Sequence, residues 1–351
     1  MTQAERLLPE QPRWPERVTL GDLPIGIYLP EEFITNEQIE QWGIRTQSGK
    51  LLTASDIQKR IGIERRFIAG PNESVIDMGI KAARATGNLD DVYAIFASTS
   101  YPVGKNVSEA IGRHLPKQPE FHLDIHAACS GFTRGLAYMQ EHEKEFNNKK
   151  VLFVTTEKYS HTLADLREGG INTDPSMAQT IFSDGAVAIV FTFGKDIQVL
   201  EHGSEKLPKE SDNYIRMPID KTLMIPPFLY VPIPNSTNGM LQQNGPKVYD
   251  TVLSSVPSLN RWVVEESRLE ASNIKLVIPH QASGRMVNGL SDKMREYILF
   301  KDTQDGNFSS ASIPKAWARA IKEGLVQRGD KILLSGFGAG LYASSAIVQL
   351  G

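Results

Sequence analysis

The sequence has 351 residues, with 38 lysines and arginines against 41 aspartates and glutamates and a formal net charge of −3. This mixed balance lacks the basic excess of proteins that bind nucleic acids, so a nucleic-acid partner is not expected. One cysteine excludes an intramolecular disulfide framework and a cysteine-rich zinc site, while 40% hydrophobic residues suffice for a large core.

Residues 1–17 are predicted to form a loose extension, because Pro9, Pro12 and Pro15 deny them a regular helix. They lack the apolar core of a signal peptide. No window of the sequence approaches the roughly 18 apolar residues that a membrane-spanning helix needs. We therefore expect a cytoplasmic protein with no membrane partner.

The apolar runs between residues 92 and 191 predict strands that alternate with helices. The helix that follows the cysteine places Phe132, Leu136 and Met139 on one stripe, the spacing of a helix packed on a sheet. The predicted strands cover 92–99, 121–129, 151–157 and 185–191, and the predicted helices cover 107–115 and 130–146.

A similar order returns between residues 275 and 350. Ser312 is expected to cap the helix over 313–324, Pro314 suits its first turn, and Gly324 suits its C-terminal stop. The predicted strands cover 275–283, 331–338 and 344–350, and another helix extends to about residue 300.

Buried strands alternating with helices predict an α/β fold with a largely parallel, helix-covered sheet. Because the order occurs twice, we predict two similar βα halves, 18–200 and 251–351, joined by a connection, 201–250. Within the connection, residues 214–239 are rich in proline and apolar side chains. Two interpretations stay open for this segment: an insertion that folds over a cleft, or a surface loop packed on its own side chains.

Cys129 lies where a predicted strand ends and a predicted helix begins, in the stretch HAACSGF. The positive field of a helix N-terminus favours a thiolate, and free N–H groups in the first turn stabilise an oxyanion. The small neighbouring residues keep the turn open to a substrate. This position predicts a nucleophile, with an inert buried cysteine as the alternative.

A nucleophilic cysteine needs a polar partner, and His280 is the best candidate among seven histidines. It ends the apolar run KLVIPH, so we expect it at the C-terminal edge of a strand, where open α/β sheets place their sites. Asn307 in DGNFSSAS is a third polar candidate, with ordinary turn chemistry as its alternative. The glycines of GFGAG allow a close backbone approach, and the N–H of Gly338 is a candidate oxyanion donor.

The stretch HLDIH raises a separate hypothesis, a metal site. His122, Asp124 and His126 alternate, so on a strand they share one face. Since the sequence shows no further ligand cluster, we favour structural hydrogen bonds for these side chains and expect no metal.

Seven stretches stand in a characteristic order along the chain: GIYLPEEFITNEQI, IGIERRFIA, DIHAACSGF, FSDGAVAIVF, IPHQASGRM, DGNFSSASIP and LLSGFGAGLYASSAIVQL. Each is weak alone, but together they closely resemble the β-ketoacyl-acyl carrier protein synthase III family of the thiolase superfamily. The resemblance extends from about residue 18 to the C-terminus. It implies a five-layered αβαβα thiolase-like fold and a homodimer.

The resemblance also implies roles for individual residues. Cys129 matches the acyl-accepting nucleophile, and the backbone N–H groups of Cys129 and Gly338 match the oxyanion hole. His280 and Asn307 match the pair that hydrogen-bonds the malonyl thioester carbonyl. Arg285 matches a basic position beside the tunnel mouth, where acidic carrier proteins dock.

The implied reaction is ping-pong: an acyl thioester acylates Cys129, and a malonyl thioester then condenses with the acyl group as carbon dioxide leaves. Loss of carbon dioxide generates the enolate without a strong base, so neutral donors suffice to hold its charge. An asparagine rather than an acid at position 307 favours this decarboxylative reaction. The expected partners are coenzyme A or acyl carrier protein thioesters, with no cofactor.

Several departures from the family pattern predict a specialised acyl donor or acceptor, in fatty-acid-like or secondary-metabolite biosynthesis. The family commonly has a tryptophan near the place of Asp56 or Ile57 here, where it sandwiches the adenine of coenzyme A. Arg60 and Arg65 are candidates to meet phosphate, with a solvated face as the alternative. Phe308 replaces a usual small residue after the asparagine, so its ring is expected to narrow the second-substrate site.

Two other functions stay open. A relative that transfers the acyl group to a hydroxyl or amine without decarboxylation would use His280 as a general base. A non-catalytic partner subunit that binds carriers is the second alternative. The retention of Cys129, His280 and Asn307 together argues against it.

Overall fold

The computed structural model describes residues 15–45, 49–100, 106–169, 177–208, 215–216, 228–230 and 242–351. The strands are β1 Glu16–Leu20, β2 Leu23–Tyr28, β3 Glu32–Thr35, β4 Arg65–Ile68, β5 Ala94–Ser98, β6 Phe121–His126, β7 Lys150–Glu157, β8 Gly185–Thr192, β9 Ile197–Lys206, β10 Ile215–Arg216, β11 Phe228–Tyr230, β12 Gln242–Gln243, β13 Leu276–Pro279, β14 Lys331–Gly338 and β15 Tyr342–Leu350. The helices are α1 Asn36–Gln41, α2 Ala54–Ile61, α3 Val75–Thr86, α4 Val107–Gly112, α5 Gly131–Glu141, α6 Glu143–Phe146, α7 Ser160–Gly169, α8 Gly245–Glu266, α9 Gly284–Lys293 and α10 Ser312–Lys322. Short 3₁₀ helices cover Ala128–Ser130, Met177–Thr180, Ala271–Asn273 and Ser309–Ala311.

Two larger sheets form the framework of the fold. The first has the strand order β1-β2-β8-β7-β5-β6-β11, and the second has the order β13-β14-β15-β9. In the first sheet, β7, β5, β6 and β11 pair in parallel, whereas β1, β2, β8 and β7 pair antiparallel. The expectation of a largely parallel sheet was therefore wrong, although the parallel strands do lie beside the candidate site.

The central strands are buried on both faces, which explains their continuous apolar sequences. Every residue of β5 is buried. Phe96 packs into the cluster that contains α5 and α10, while Ile95 and Ala97 pack on the opposite side against α3. The alternation of side chains along one strand thus serves two separate cores.

Helices α5 and α10 form a layer between the two sheets. Helix α5 contacts β6 of the first sheet and β15 of the second, and α10 contacts β1 and β14. The rings of Phe132 and Trp317, from these two helices, lie 6.3 Å apart between centroids. With α3 and α4 against the first sheet and α8 and α9 against the second, the layers follow the predicted order αβαβα.

The ends of helix α10 agree only in part with those predicted from the sequence. Helix α10 begins at Ser312 and its N-cap is Ala311, so Ser312 does not cap it by a side-chain bond. The Ser312 hydroxyl instead accepts the backbone N–H of Phe308 at 3.0 Å. Pro314 lies in the first turn, and Gly324 follows the helix with a left-handed φ of 71°, as predicted.

The proposed division into halves stays a prediction, and two of its boundaries fall inside strands. Residues 1–14 lie outside the described part, but β1 already begins at Glu16. Strand β9 crosses residue 200 and pairs with β15 of the second half. Most of 214–239 also lies outside the described residues, and with it the choice between an insertion over a cleft and a surface loop. No helix of the described chain is long and apolar enough to cross a membrane.

Candidate active site

Cys129 lies at a sharp turn between a strand and a helix, where the sequence predicted it. Strand β6 ends at His126, the 3₁₀ turn holds the cysteine, and α5 begins at Gly131. Ala128 has a φ of 44°, a left-handed conformation that costs energy for a residue with a β-carbon. The surrounding structure therefore fixes the direction of the thiol.

One cavity of about 580 Å³ brings together the three predicted catalytic side chains. Cys129, His280 and Asn307 all line it. Gly338 lines it too, as do the exposed Arg60 and Arg285. These residues come from positions far apart along the chain, so their convergence is a property of the fold.

The backbones of Gly338 and Cys129 pack directly against each other. A β-carbon at position 338 would lie 2.8 Å from the backbone nitrogen of Cys129 and 3.1 Å from its β-carbon. Only glycine leaves room for this approach. The two backbones are thus close enough to serve one oxyanion, as the predicted oxyanion hole requires.

His280 enters the cavity from the C-terminal end of β13, which ends at Pro279. The side chain is 2% exposed, and burial lowers its pKa to about 3. The imidazole is therefore neutral at physiological pH. Its Nδ1 is buried and has no hydrogen-bond partner among the described residues, and its ring packs edge-on against Phe337.

Asn307 is held by both its backbone and its side chain. Its N–H donates to the carbonyl of Ile181 at 2.7 Å, and its carbonyl accepts the N–H of Ser183 at 2.9 Å. Its side-chain oxygen accepts the N–H of Ser309 at 2.7 Å. The amide is thus oriented so that its NH₂ group is the donor available to a substrate.

A buried ion cluster supports the loop that carries Asn307. The ammonium of Lys315 lies 2.8 Å from Asp302 and 3.1 Å from Asp305. Arg65 also pairs with Asp305, at 2.8 Å. Arg65 does not line the cavity in the described part of the chain, so its prediction as a phosphate-binding residue is not supported by its position.

Phe308 points into the protein core and not into the cavity. The side chain is buried, with its ring centroid 6.4 Å from that of Phe67 and 5.2 Å from the Lys315 ammonium. It is absent from the described lining of the cavity. The expectation that this ring narrows the second-substrate site was wrong, because the turn after Asn307 directs it to the opposite side.

Arg60 and Arg285 are the predicted binding residues that do reach the cavity. Arg60 lies in the last turn of α2, and Arg285 lies in the first turn of α9. The guanidinium carbon of Arg285 lies 4.9 Å from the ring centroid of Tyr249. Asp56 lies in the first turn of α2, where its carboxylate accepts the hydroxyl of Thr53 at 2.9 Å and its backbone N–H donates to that hydroxyl at 3.1 Å.

Sequence reasoning missed a line of buried hydroxyl groups that leads away from the cysteine. The Sγ of Cys129 lies 3.3 Å from the Oγ of Ser309, which lies 2.8 Å from the Oγ of Ser100. The Ser100 hydroxyl donates to Glu157 at 2.9 Å. We call these four residues the hydroxyl chain. The available signal was an acidic residue at the end of the apolar run VLFVTTE.

The thiol of Cys129 is protonated at neutral pH. Burial, together with the nearby charge of Glu157, raises its pKa to about 12, against the opposing effect of the Ser309 hydroxyl. The positive field of the helix N-terminus acts against this effect of burial, and the thiolate that it was expected to favour stays a prediction. A reaction at this sulfur needs a group that takes its proton.

The stretch HLDIH makes the structural hydrogen bonds favoured from the sequence. The Asp124 carboxylate accepts the N–H groups of Val107 and Ser108, both at 2.7 Å, at the start of α4. His122 and His126 contact backbone carbonyls at 3.1 and 3.2 Å. Each of the three side chains thus contacts backbone groups in its own surroundings.

Family models match two parts of the chain. Residues 123–204 match the model described as 3-oxoacyl-[acyl-carrier-protein (ACP)] synthase III, and residues 264–350 match the model of its C-terminal part. The first match includes Cys129 and Glu157, and the second includes His280 and Asn307.

Individual relatives are similar over nearly the whole chain. Beta-ketoacyl-[acyl-carrier-protein] synthase III 2 of Halalkalibacterium halodurans is 31% identical, over 93% of this chain and 95% of that protein. The crystal structure of 3-oxoacyl-[acyl-carrier-protein] synthase III from Aquifex aeolicus aligns with a TM-score of 0.74 at 26% identity, covering 93% of this chain and 98% of the other. The priming β-ketosynthase of the R1128 polyketide pathway aligns with a TM-score of 0.73 at 25% identity, covering 97% and 98%. These likenesses confirm the resemblance and the layered thiolase-like fold.

Proposed function

The chain belongs to the β-ketoacyl-[acyl-carrier-protein] synthase III family of acyltransferases, and from that premise we propose that it condenses an acyl group held on Cys129 with a malonyl thioester. The observation that carries this proposal is the convergence of Cys129, His280 and Asn307 on one cavity. A nucleophile and two neutral donors in one cavity suit an acyl transfer followed by formation of an enolate.

In the first half of the reaction, the sulfur of Cys129 attacks the carbonyl carbon of an acyl thioester. The carbonyl oxygen becomes an oxyanion, which the backbone N–H groups of Cys129 and Gly338 stabilise. The close packing of these two backbones supports this role. Collapse of the intermediate releases the carrier thiol and leaves the acyl group on the cysteine.

In the second half, a malonyl thioester loses carbon dioxide and the resulting enolate attacks the acyl group. The neutral His280 and the NH₂ group of Asn307 donate to the thioester oxygen, on which the negative charge develops. Decarboxylation supplies the electron pair, so neither residue must remove a proton from carbon. The product is a β-ketoacyl thioester, and the free cysteine returns.

The proposed substrates are thioesters of coenzyme A or of an acyl carrier protein, and the reaction needs no resident cofactor. Arg60 and Arg285, both exposed at the cavity, supply positive charge for phosphate or for an acidic carrier surface. The proposal includes a cytoplasmic homodimer that works in fatty-acid-like or secondary-metabolite biosynthesis. Equilibrium sedimentation of the purified protein tests the dimer.

Intact-protein mass spectrometry tests the first half of the reaction. After incubation with a panel of coenzyme A and carrier-protein thioesters, the wild type is expected to gain the mass of one acyl group. The Cys129→Ala variant is expected to gain none. A wild type that forms no adduct across the panel would contradict the proposal and favour a non-catalytic partner subunit.

Release of labelled carbon dioxide from carboxyl-labelled malonyl thioesters tests the second half. We expect release from the acylated wild type and its loss in His280→Ala, which still accepts the acyl group. Acylation of the wild type without any release of carbon dioxide would instead indicate transfer to a hydroxyl or amine acceptor.

A further inference from the structure

The hydroxyl chain connects the reactive sulfur to a carboxylate that has no other role in the proposed reaction. Cys129, Ser309, Ser100 and Glu157 are each 8% exposed or less. They come from the turn before α5, the 3₁₀ turn after Asn307, the segment that follows β5 and the end of β7. Four separate segments therefore meet to build one continuous line of hydrogen-bonding groups.

While Glu157 is ionised, the direction of the hydrogen bonds along this line follows from the single proton that each hydroxyl can donate. The Ser100 hydroxyl donates to the carboxylate of Glu157. The contact between the two serines then requires Ser309 to donate to Ser100. In turn, the contact at the sulfur requires the Cys129 thiol to donate to Ser309. Each proton is thus aimed from the sulfur towards the carboxylate.

Ser309 is held in a strained conformation at the first step of this line. Its φ is 47°, in the left-handed region that a serine rarely adopts. Its backbone N–H donates to the side chain of Asn307, which fixes the turn. Strain of this kind typically costs about 1–3 kcal/mol and persists where the surrounding structure demands one direction for a side chain.

Glu157 is equipped to hold a negative charge and also to accept a proton. Besides the Ser100 hydroxyl, its carboxylate accepts the N–H of Ser100 at 2.8 Å, the N–H of Ser310 at 3.1 Å and the Ser310 hydroxyl. Burial opposes the charge and raises the pKa of Glu157 to about 7. Both protonation states are therefore accessible near neutral pH.

Among the residues that the structure describes, Tyr159 is a further titratable group beside the hydroxyl chain, and its phenol hydrogen-bonds with the hydroxyls of Ser100 and Ser309. Burial first, and then the charge of Glu157, raise the pKa of Tyr159 well above its usual value, so the phenol keeps its proton. His280 shares the cavity, but its lowered pKa makes it a much weaker proton acceptor than a carboxylate that titrates near 7.

We infer that Glu157 is the proton acceptor for Cys129, reached through the hydroxyls of Ser309 and Ser100. The inference rests on the acyl transfer proposed above and adds the group that activates its nucleophile. Glu157 acts through two serines and does not touch the substrate.

The proton balance of both half-reactions follows. On acylation, the thiol proton passes to Ser309, the Ser309 proton passes to Ser100 and the Ser100 proton passes to Glu157, while the sulfur forms its bond to the acyl carbon. The bond from that carbon to the carrier sulfur breaks, and the carrier thiolate takes a proton from solvent. On condensation the enolate displaces Cys129 as a thiolate, and the same line returns the stored proton from Glu157 to the sulfur.

The pH dependence of cysteine alkylation by iodoacetamide tests the inference without any acyl donor. In the wild type, we expect the rate constant to rise through an inflection near pH 7 and then level off. In Glu157→Gln, Ser309→Ala and Ser100→Ala, that inflection is expected to disappear, and the rate at pH 7.5 to fall about 100-fold, the low end of the usual effect of a general base. Ser345→Ala removes a buried hydroxyl of β15 that donates to Asn260 of α8, and this variant should keep the wild-type profile.

Loss of folding is recognisable in the same measurement, because an unfolded chain gives the ordinary cysteine inflection near pH 8.5. If Glu157→Gln unfolds, the Ser309→Ala and Ser100→Ala variants test the inference in its place. An unchanged inflection near pH 7 in the folded serine variants would overturn the inference. If the serine variants overturn the inference but the wild type releases carbon dioxide, the role of Glu157 is rejected and the proposed condensation stands. If the alkylation profiles are as expected but the wild type releases no carbon dioxide, the condensation is rejected and the role of Glu157 stands.

Discussion

The backbone of Gly338 approaches that of Cys129 so closely that a β-carbon at position 338 would lie 2.8 Å from the Cys129 nitrogen. This contact lies between the end of β14 and the turn before α5, and it joins the second sheet to the nucleophile. A change at this glycine thus acts directly on the candidate oxyanion hole.

We expect Gly338→Ala to lower the rate of Cys129 acylation by about 100-fold, the effect typical of losing one oxyanion donor. The added methyl group must push the two backbones apart. The rate of acylation is measured by quenching the reaction at defined times and determining the acylated fraction by intact-protein mass spectrometry. Gly70→Ala is the matched control, because its β-carbon meets nothing within 4 Å and its φ is not left-handed. Equal acylation rates in the two variants would show that the backbone contact has no part in catalysis.

A second prediction concerns the two donors that Ser310 offers to Glu157. The Ser310 hydroxyl lowers the pKa of Glu157 against the larger effect of burial. Ser310→Ala removes that donor, so the carboxylate should titrate at a higher pH. We expect the inflection in the acylation rate to move upward from about pH 7 while the plateau above it persists. An inflection that stays in place, or moves downward, would show that another group is being titrated.

The positions of the nucleophile and its partner were predictable because they depend on local order along the chain. Cys129 follows a buried strand and precedes an amphipathic helix, and His280 follows another buried strand. Strand ends and helix starts are visible in hydrophobic periodicity. The fold then places both at the same cavity, as the resemblance implied.

The hydroxyl chain was not predictable, since its contacts join residues far apart in sequence. Ser100 and Glu157 are 57 residues apart, and Ser100 and Ser309 are 209 residues apart. Serines in loops carry no periodic signal that shows their partners. Phe308 shows the same limit: its neighbour Asn307 lines the cavity, but the direction of each side chain depends on the backbone of a short 3₁₀ turn.

The buried ion cluster beneath Asn307 yields a prediction about stability. Lys315 is 6% exposed and lies between the carboxylates of Asp302 and Asp305. Among the described residues, Lys315→Met leaves the buried Asp302 paired only with Arg319 and the partly buried Asp305 paired only with Arg65. Breaking a buried pair typically costs about 3–5 kcal/mol, and because each carboxylate keeps one cation here we expect a loss at the low end of that range, about 3 kcal/mol. Lys322→Met removes a pair with Glu16 at the surface, which is worth about 0–1 kcal/mol. Urea unfolding of both variants makes the comparison, and similar losses would contradict the importance assigned to the cluster.

The neutral state of His280 predicts how the fold responds to acid. Burial lowers its pKa to about 3, whereas a histidine in an unfolded chain titrates near about 6.5. Between these values the unfolded chain binds a proton that the folded chain does not, so the stability that this residue contributes is lost as the pH falls. From pH 7 to pH 5 the loss amounts to about 2 kcal/mol.

His280→Gln should therefore flatten the dependence of unfolding free energy on pH in this window. Glutamine keeps a polar side chain of similar length but takes up no proton. The measurement is urea unfolding at pH 7 and pH 5 for the wild type, His280→Gln and the exposed control His142→Gln. The wild type and the control should lose the same free energy, and His280→Gln should lose about 2 kcal/mol less. An equal loss in all three proteins would mean that His280 takes up its proton at the same pH in the folded and the unfolded chain, which would contradict an imidazole that burial keeps neutral down to pH 5.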